Sequence, residues 1–254
     1  MSSLLTPAEV GNWQRFLNER SITDWEAKPL VVDEAFGSRT SYATRQWQTE
    51  NGLSATGDVS TSERRIALSQ GFLPFVQAKN ASIIHPKTRT IDLLVIHTME
   101  NQEKPTSAEN VALWFAGRTQ YPAPQASAHY CIDTDSTVQC VRDMDIAWHA
   151  PGANHDGIGI EHAGYARQTP SEWFDDTSKA ILERSARLTA KLAKLYEVPL
   201  VKLAPGDLSL NKRGFCGHVD VTLAFPGPGR SHSDPGPNFP WEFYLDLVAA
   251  ARNT

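Results

Sequence analysis

Apolar residues in the first part of the chain recur at helical spacing. Capping boxes, in which a Thr or Ser N-cap is followed three residues later by Glu, begin the first predicted helix at Thr6 and the third at Ser60. A second helix is predicted over residues 38–51, since a glycine ends its pattern. We therefore expect a small all-α domain over residues 1–75, which residues 76–90 connect to the rest of the chain.

After residue 90 the pattern changes to a mixture of strands and helices. Continuous apolar runs predict buried strands over residues 91–97 and 157–162. Longer segments with helical period predict helices over 107–117, 177–197 and 241–251. This succession is typical of an α/β domain.

Two cysteines lie in a segment that predicts a β-hairpin, two short alternating runs around a polar turn. If Asp135 and Ser136 are the two turn residues, Cys131 lies directly opposite Cys140. Two buried thiols packed side by side and a strained, reducible disulfide both fit this arrangement. The third cysteine, Cys216, leaves too few for a disulfide framework.

Composition excludes several classes of function. The 254 residues carry a formal net charge of -5 and are 41% hydrophobic, as in an ordinary globular protein. No basic block suggests a nucleic-acid partner, and no apolar run is long enough to span a membrane. The N-terminus lacks the basic and apolar regions of a secretory signal peptide, so we expect synthesis in the cytoplasm without one.

The histidines are distributed unevenly. All eight lie between His85 and His232, so imidazole chemistry belongs to the second part of the chain. His97 ends a predicted strand, His218 lies in a glycine-flanked turn, and Asp234 follows 16 residues later. Two imidazoles and one carboxylate are a ligand set of catalytic zinc, with a fourth position left for water. By themselves, three residues so far apart in the chain are weak evidence of a site.

Six segments add context, in the order VIHTME, SAHYCIDTDSTV, AWHAPG, NHDGIGIEHAG, CGHVDV and HSDPGPNFPW. Together they resemble the zinc-dependent N-acetylmuramoyl-L-alanine amidases of type 2, which share their fold with peptidoglycan recognition proteins. The resemblance implies, over residues 91–254, a mixed central β-sheet flanked by helices. It also implies hydrolysis of the amide bond between N-acetylmuramic acid and L-alanine of the peptidoglycan stem peptide.

The N-terminal segment carries a second resemblance. Residues 5–72 are similar to the three-helix peptidoglycan-binding domain found beside many wall hydrolases. The matching residues are Asp33, Phe36, Gly37, Thr40, Trp47, Gln48, Gly52, Leu53, Gly57 and Val59. A generic helical domain with Trp47 in its core is the alternative interpretation.

The amidase resemblance assigns roles to five residues. It implies that His97, His218 and Asp234 bind Zn²⁺. Glu161 matches the catalytic glutamate, which acts as general base and then as proton donor. His232 matches the position that stabilises the oxyanion, where many relatives carry Lys; because His titrates near neutral pH, we expect activity to depend on its protonation.

The same resemblance implies that His129, Trp148 and His149 line the groove for the muramyl peptide, although Trp148 also fits a core position. Some relatives have a catalytic Tyr where this chain has Ala128, which leaves more of the work to Glu161. We predict that the remaining histidines are not catalytic, namely His85, His155 and His162.

The biological role has several interpretations. A phage endolysin released through a holin and an injected antibacterial effector, which would need an immunity protein, both fit a wall-binding enzyme without a signal peptide. A cytoplasmic recycling enzyme fits less well, because soluble fragments need no anchoring domain. A non-catalytic peptidoglycan recognition protein is the alternative function, and a cysteine-nucleophile hydrolase built on Cys216 and His218 is a weaker one.

Overall fold

The structure, a computed structural model, describes residues 5–84, 88–227 and 231–252. The chain divides into two compact units, Met1–Phe75 and Val76–Thr254. His85, which the sequence analysis set aside as non-catalytic, lies outside the described residues.

The first unit contains helices α1 (Pro7–Glu19), α2 (Ser38–Glu50) and α3 (Thr61–Ser69). Both predicted capping boxes are confirmed. The side chains of Thr6 and Ser60 each accept a hydrogen bond from the backbone N–H three residues later, and the glutamate there binds back to the N-cap N–H.

Aromatic side chains form the centre of this unit. The rings of Trp13, Phe16, Trp47 and Phe72 contact one another with centroids 5.0–6.0 Å apart. Both buried indoles are satisfied, because Trp13 donates to Thr44 Oγ1 at 2.9 Å and Trp47 donates to a glutamine side chain. Trp47 is therefore a core residue.

Two buried glutamines hold the turns that precede α2 and α3. The side-chain amide of Gln14 donates to Asp33 Oδ1 at 2.7 Å and accepts from the Asp33 backbone N–H at 3.1 Å. In the same way Gln48 donates to the carbonyl of Asp58 at 2.8 Å and accepts from the N–H of Gly57 at 2.9 Å. Each turn is therefore tied to the helix that precedes it by the side-chain amide of one glutamine.

The second unit is built on a mixed sheet, as expected. Its five-stranded sheet has the order β4-β3-β6-β2-β7, in which only the β3–β4 pair is antiparallel. A two-stranded sheet pairs β1 with β5. The strands are β1 (Ala81–Ser82), β2 (Leu93–Thr98), β3 (Tyr130–Ile132), β4 (Thr137–Gln139), β5 (Ile146–Ala147), β6 (Gly157–His162) and β7 (Gly214–Gly217).

Helices flank this sheet. They are α4 (Ser107–Phe115), α5 (Pro170–Trp173), α6 (Asp176–Leu195), α7 (Pro205–Ser209), α8 (His218–Ala224) and α9 (Trp241–Arg252). The long helices α6 and α9 contact each other through a buried hydrogen bond of 2.7 Å between Ser185 and Tyr244. Ser185 also bonds to His162 at the end of β6, so these two helices cover one face of the sheet.

The predicted register of the cysteine hairpin is wrong. Cys131 pairs with Val138, because the turn is centred one residue earlier than we expected, which shifts each pairing partner by two residues. The Asp133 carboxylate accepts from two N–H groups of the turn and closes it there. Cys131 and Cys140 are instead diagonal neighbours with sulfurs 3.8 Å apart, and all three cysteines are free thiols.

None of the described helices combines the length and the apolar character that crossing a bilayer requires.

Candidate active site

Three neighbouring parallel strands bring the candidate catalytic residues together. His97 and Glu161 occupy the same register position on β2 and β6. His218 begins α8 directly after β7, the strand on the other side of β2. Because the carboxyl ends of parallel strands meet at one edge of a sheet, residues far apart in the chain become neighbours there.

Backbone contacts bring Asp234 to the same place. The N–H of Val219 donates to the Asp234 carbonyl at 2.9 Å, which ties this loop to the first turn of α8. A side chain at Gly217 would put its Cβ only 2.6 Å from Pro235 Cδ, so the close approach of the loop requires glycine. The Asp220 carboxylate accepts from the Gly217 N–H at 2.7 Å and holds the start of the helix.

His97, His218 and Asp234 form a compact buried cluster. Nδ1 of His97 lies 3.0 Å from one carboxylate oxygen of Asp234, and Nδ1 of His218 lies 3.3 Å from the other. The potential ligand atoms of the three residues all lie within 4.8 Å of one another. The cluster could therefore hold a metal ion.

The charges of the cluster suit a divalent cation. Burial lowers the pKa of His97, which favours the neutral imidazole that a metal needs. Burial alone would raise the pKa of Asp234, but its hydrogen bonds to His218 and His97 outweigh burial and hold that pKa well below its usual range. Imidazole nitrogens and an ionised carboxylate are ligands that zinc prefers in catalytic sites.

Glu161 lies beside the cluster with an unsatisfied carboxylate oxygen. Its Oε2 is enclosed and has no hydrogen-bond partner among the described residues. Burial and then the charge of Asp234 raise the pKa of Glu161 well above its usual range. The neighbouring Ile158 and Ile160 alternate to the opposite face of β6, as the sequence predicts. A carboxylate with a raised pKa is suited to proton transfer near neutral pH.

His232 covers the solvent side of the cluster. Its ring stacks on that of His218 with centroids 3.8 Å apart, and about half of its side chain (52%) is exposed. Nδ1 of His232 lies 3.8 Å from Asp234. Burial and then the neighbouring His218 lower the pKa of His232. This ring is placed to meet a ligand that reaches the cluster from solvent.

The two histidines expected in the substrate groove lie behind the cluster instead. His129 is fully buried, and its ring nitrogens bond to the N–H of Gly159 at 3.0 Å and the carbonyl of Asp145 at 3.1 Å. His149 is also buried, with Nδ1 3.1 Å from Nε2 of His97. Both rings are thus buried and have their nitrogens occupied within the protein, and a contact of either ring with substrate stays a prediction.

Trp148 is the groove candidate that does reach the surface. Its side chain is 37% exposed, and its indole N–H donates to Ser82 Oγ at 3.0 Å. The alternative core position is therefore wrong, and a contact with substrate stays a prediction.

The other candidates lie apart from the site. His162 faces the opposite side of β6 from Glu161, where it contacts α6, and His155 is exposed. Cys216 is buried, and burial raises the pKa of its thiol, which is the reverse of what a cysteine nucleophile needs.

Arg89 is a buried residue that the sequence analysis missed. Its guanidinium donates to the carbonyls of Asp145 at 2.7 Å and Gly157 at 2.8 Å, directly behind the histidines. It lies in the segment interpreted as a connector, where no periodicity marks it. Gly157 and Gly159 in β6 carried a usable signal, since glycines inside a strand indicate a close approach by another group.

A family model and a curated protein that are similar to this chain are both N-acetylmuramoyl-L-alanine amidases. A family model described as N-acetylmuramoyl-L-alanine amidase matches residues 87–237. The chain is 31% identical over 168 residues to N-acetylmuramoyl-L-alanine amidase A of Achromobacter lyticus, an alignment that covers 61% of this chain and 81% of that protein.

Two solved structures are similar to this chain at low sequence identity. The Staphylococcus aureus hydrolase AmiA in complex with its ligand aligns with a TM-score of 0.50 and 17% identity, covering 76% of this chain and 91% of that one. A selenomethionine derivative of AmpD aligns with a TM-score of 0.48 and 22% identity, covering 69% and 94%.

Proposed function

This chain belongs to the N-acetylmuramoyl-L-alanine amidase family, and we propose that it cleaves the muramyl–L-alanine amide with a zinc ion held by His97, His218 and Asp234. The observation that carries the proposal is the buried cluster of two imidazoles and one carboxylate beside Glu161. When bound, zinc polarises a carbonyl and lowers the pKa of water to about 7. A complete ligand set together with Glu161 favours hydrolysis over recognition alone.

The chain's own residues carry the proton transfers. Glu161 accepts a proton from the attacking water as the new C–O bond forms at the lactyl carbonyl. It then returns that proton to the alanine nitrogen as the C–N bond breaks, so that a free amine and a carboxylic acid result. His232, on the solvent side of the cluster, stabilises the oxyanion of the tetrahedral intermediate. The raised pKa of Glu161 supports its alternation between base and acid.

Mass spectrometry of digested sacculi tests this proposal. The wild type should release stem peptides with free N-terminal L-alanine and leave the glycan strands uncut. Glu161→Gln should lower the rate by about 10²–10⁴-fold, since it removes the proton carrier, while the zinc content stays unchanged. Glu183→Gln, at an exposed position of α6, is the matched control and should retain wild-type activity. Wild-type turnover by Glu161→Gln would remove the proposed base.

The first unit, residues 1–75, is proposed to anchor the enzyme to the insoluble wall. Two exposed aromatic rings support a contact surface there: Trp25 is 48% exposed and Tyr42 is 37% exposed, with ring centroids 6.0 Å apart. The guanidinium of Arg39 lies 4.7 Å from the Trp25 ring, and its ion pairs with Asp24 and Glu26 hold it there. Anchoring raises the local concentration of substrate around the second unit.

Co-sedimentation with purified sacculi tests the anchor. In an inactive Glu161→Gln background, Trp25→Ala should weaken binding, because it removes the largest exposed ring of the unit. Leu68→Ala, at an exposed position of α3, is the control and should bind as before. Equal binding by both variants would place the wall contact elsewhere.

We further propose a lytic role, with delivery either through a holin as a phage endolysin or by a secretion system as an antibacterial effector. A wall-anchored amidase suits intact peptidoglycan better than soluble recycled fragments. The neighbouring genes separate the two routes, since a holin gene supports the endolysin and a gene for a periplasmic immunity protein supports the effector. Targeting the chain to the periplasm should cause lysis by either route, and absence of lysis there would contradict a lytic role.

A further inference from the structure

A buried row of hydrogen-bonding groups extends from the candidate metal cluster into the protein. Nδ1 of His97 faces Asp234 at 3.0 Å, and Nε2 of the same ring faces Nδ1 of His149 at 3.1 Å. Nε2 of His149 in turn lies 3.4 Å from the carbonyl of Gly157. The row therefore joins a proposed zinc ligand to the backbone of β6.

When a metal ion occupies the cluster, the last member of this row determines where the protons lie. A carbonyl oxygen can only accept, so Nε2 of His149 carries the hydrogen and its Nδ1 is left as an acceptor. Nε2 of His97 then donates to that acceptor. In the zinc-bound protein the remaining nitrogen of His97, Nδ1, keeps its lone pair for the ion that it would share with Asp234 and His218. Only this tautomer offers Nδ1 to a metal ion. Without the ion, its 3.0 Å contact with the Asp234 carboxylate is a hydrogen bond that requires a proton on Nδ1.

Two glycines of β6, Gly157 and Gly159, leave space for the His149 ring. A Cβ at Gly159 would lie 2.5 Å from Cγ of His149, so the ring occupies space that any side chain there would fill. A Cβ at Gly157 would lie 3.4 Å from the same ring. On the other side, Asn154 Oδ1 accepts from the His149 backbone N–H at 2.9 Å. The position of the ring is thus imposed by backbone and glycines as well as by its hydrogen bonds.

We propose that His149 is a positioning residue that holds His97 in the tautomer with Nδ1 free for zinc. This inference rests on the proposed zinc site. His149 does not touch substrate; it acts through His97, and its removal leaves the His97 ring free to rotate or to exchange tautomers. Partners of this kind behind a metal ligand typically change metal affinity by about 10–100-fold.

Zinc affinity, measured by chelator competition on the full chain, tests the proposal independently of activity. His149→Leu removes the acceptor and should weaken zinc binding by about 10–100-fold. His149→Asn places an amide oxygen near the position of Nδ1 and should restore much of the affinity. Tyr244→Phe, which removes a buried hydroxyl between α6 and α9, controls for loss of stability and should bind zinc as the wild type does.

The outcomes distinguish a failure of the proposed zinc site from a failure of the proposed role of His149. A wild type that binds no zinc would remove the proposed metal site. If the wild type binds zinc and His149→Leu binds it equally well, only the role of His149 is overturned. Equal weakening in His149→Leu, His149→Asn and Tyr244→Phe would indicate general destabilisation and would also overturn it.

A spectroscopic measurement gives a second readout. Long-range ¹H–¹⁵N correlation spectra of the zinc-loaded wild type should show a proton on Nε2 of both His97 and His149. A proton on Nδ1 of His149 would contradict the proposed direction of the hydrogen bonds. Gly159→Ala would displace the His149 ring from the space that the glycine leaves for it. If this variant folds, it should also weaken zinc binding, as His149→Leu does.

Discussion

Acid should destabilise the second unit through His129, a fully buried ring. Its Nδ1 accepts from the Gly159 N–H and its Nε2 bonds to the Asp145 carbonyl, so a second ring proton would face another donor. The charged and titratable groups that face it are the Arg89 guanidinium at 3.4 Å and the nearby imidazoles of His149 and His97. Burial and then the positive charge of Arg89 lower the pKa of His129 from 6.5 to about 3.

The sign and size of the effect follow from linkage. Between pH 6.5 and pH 3 the unfolded chain binds a proton at His129 and the folded chain does not, so the free energy of unfolding falls as the pH falls. One pKa unit corresponds to about 1.4 kcal/mol, which makes the complete loss about 5 kcal/mol. About 2 kcal/mol of this is lost between pH 7.5 and pH 5.

The comparison of wild type with His129→Asn isolates this contribution. Asn keeps an acceptor for the Gly159 N–H but cannot titrate, so the variant is less stable at pH 7.5 and loses less stability on acidification. Urea unfolding at pH 7.5 and pH 5, followed by circular dichroism with a chelator present, should show the stability difference shrinking by about 2 kcal/mol. His155→Asn, at an exposed position, is the control and should keep the wild-type pH dependence. A difference that is the same at both pH values would refute the reasoning.

Three further predictions concern packing in the two units and the oxidation state of the cysteines. Gly217→Ala should lower the thermal midpoint in calorimetry and weaken zinc binding by roughly tenfold in chelator competition. The added Cβ would push away Pro235 and the neighbouring ligand Asp234, so an unchanged zinc affinity would contradict this reasoning. Gln48→Leu should destabilise the first unit by about 2–4 kcal/mol in urea titrations, because the buried Gly57 N–H and the other hydrogen-bond partners of Gln48 lose their bonds. A loss under about 0.5 kcal/mol would exclude a stabilising role of Gln48. Thiol titration of the denatured, unreduced protein should find three free thiols, and finding one would support a Cys131–Cys140 disulfide.

Much of the local structure was predictable because its causes lie close together in the chain. The capping boxes at Thr6 and Ser60 each involve residues three positions apart, and both formed as predicted. The strand over residues 157–162 was predicted with the bounds that the structure has. The hairpin failed for a similar local reason, since the turn chemistry of Asp133 determined the register and was not recognised.

The candidate site was only partly predictable. Sequence resemblance selected His97, His218 and Asp234, and the structure brings these residues within reach of one another. The same resemblance placed His129 and His149 in the substrate groove, whereas both rings lie behind the cluster with their nitrogens bonded inside the protein. The sequence shows that a histidine could bind a metal or a substrate, but the hydrogen-bond partners of its ring determine which nitrogen is free to do so.

By itself the sequence determined the longer helices and the strands β2 and β6, the family, and the residue types from which a zinc amidase could be assembled. Those properties depend on short-range periodicity and on motifs that are read residue by residue. The tertiary structure decided which histidines face one another, how Gly159 makes room for a ring, and which nitrogen of His97 faces the cluster. His97 lies 52 residues from His149 and 137 residues from Asp234 in the chain. Even Gly159 and His149, which are closer in the chain, meet only because of the way the chain folds back onto β6, and no local pattern encodes such contacts.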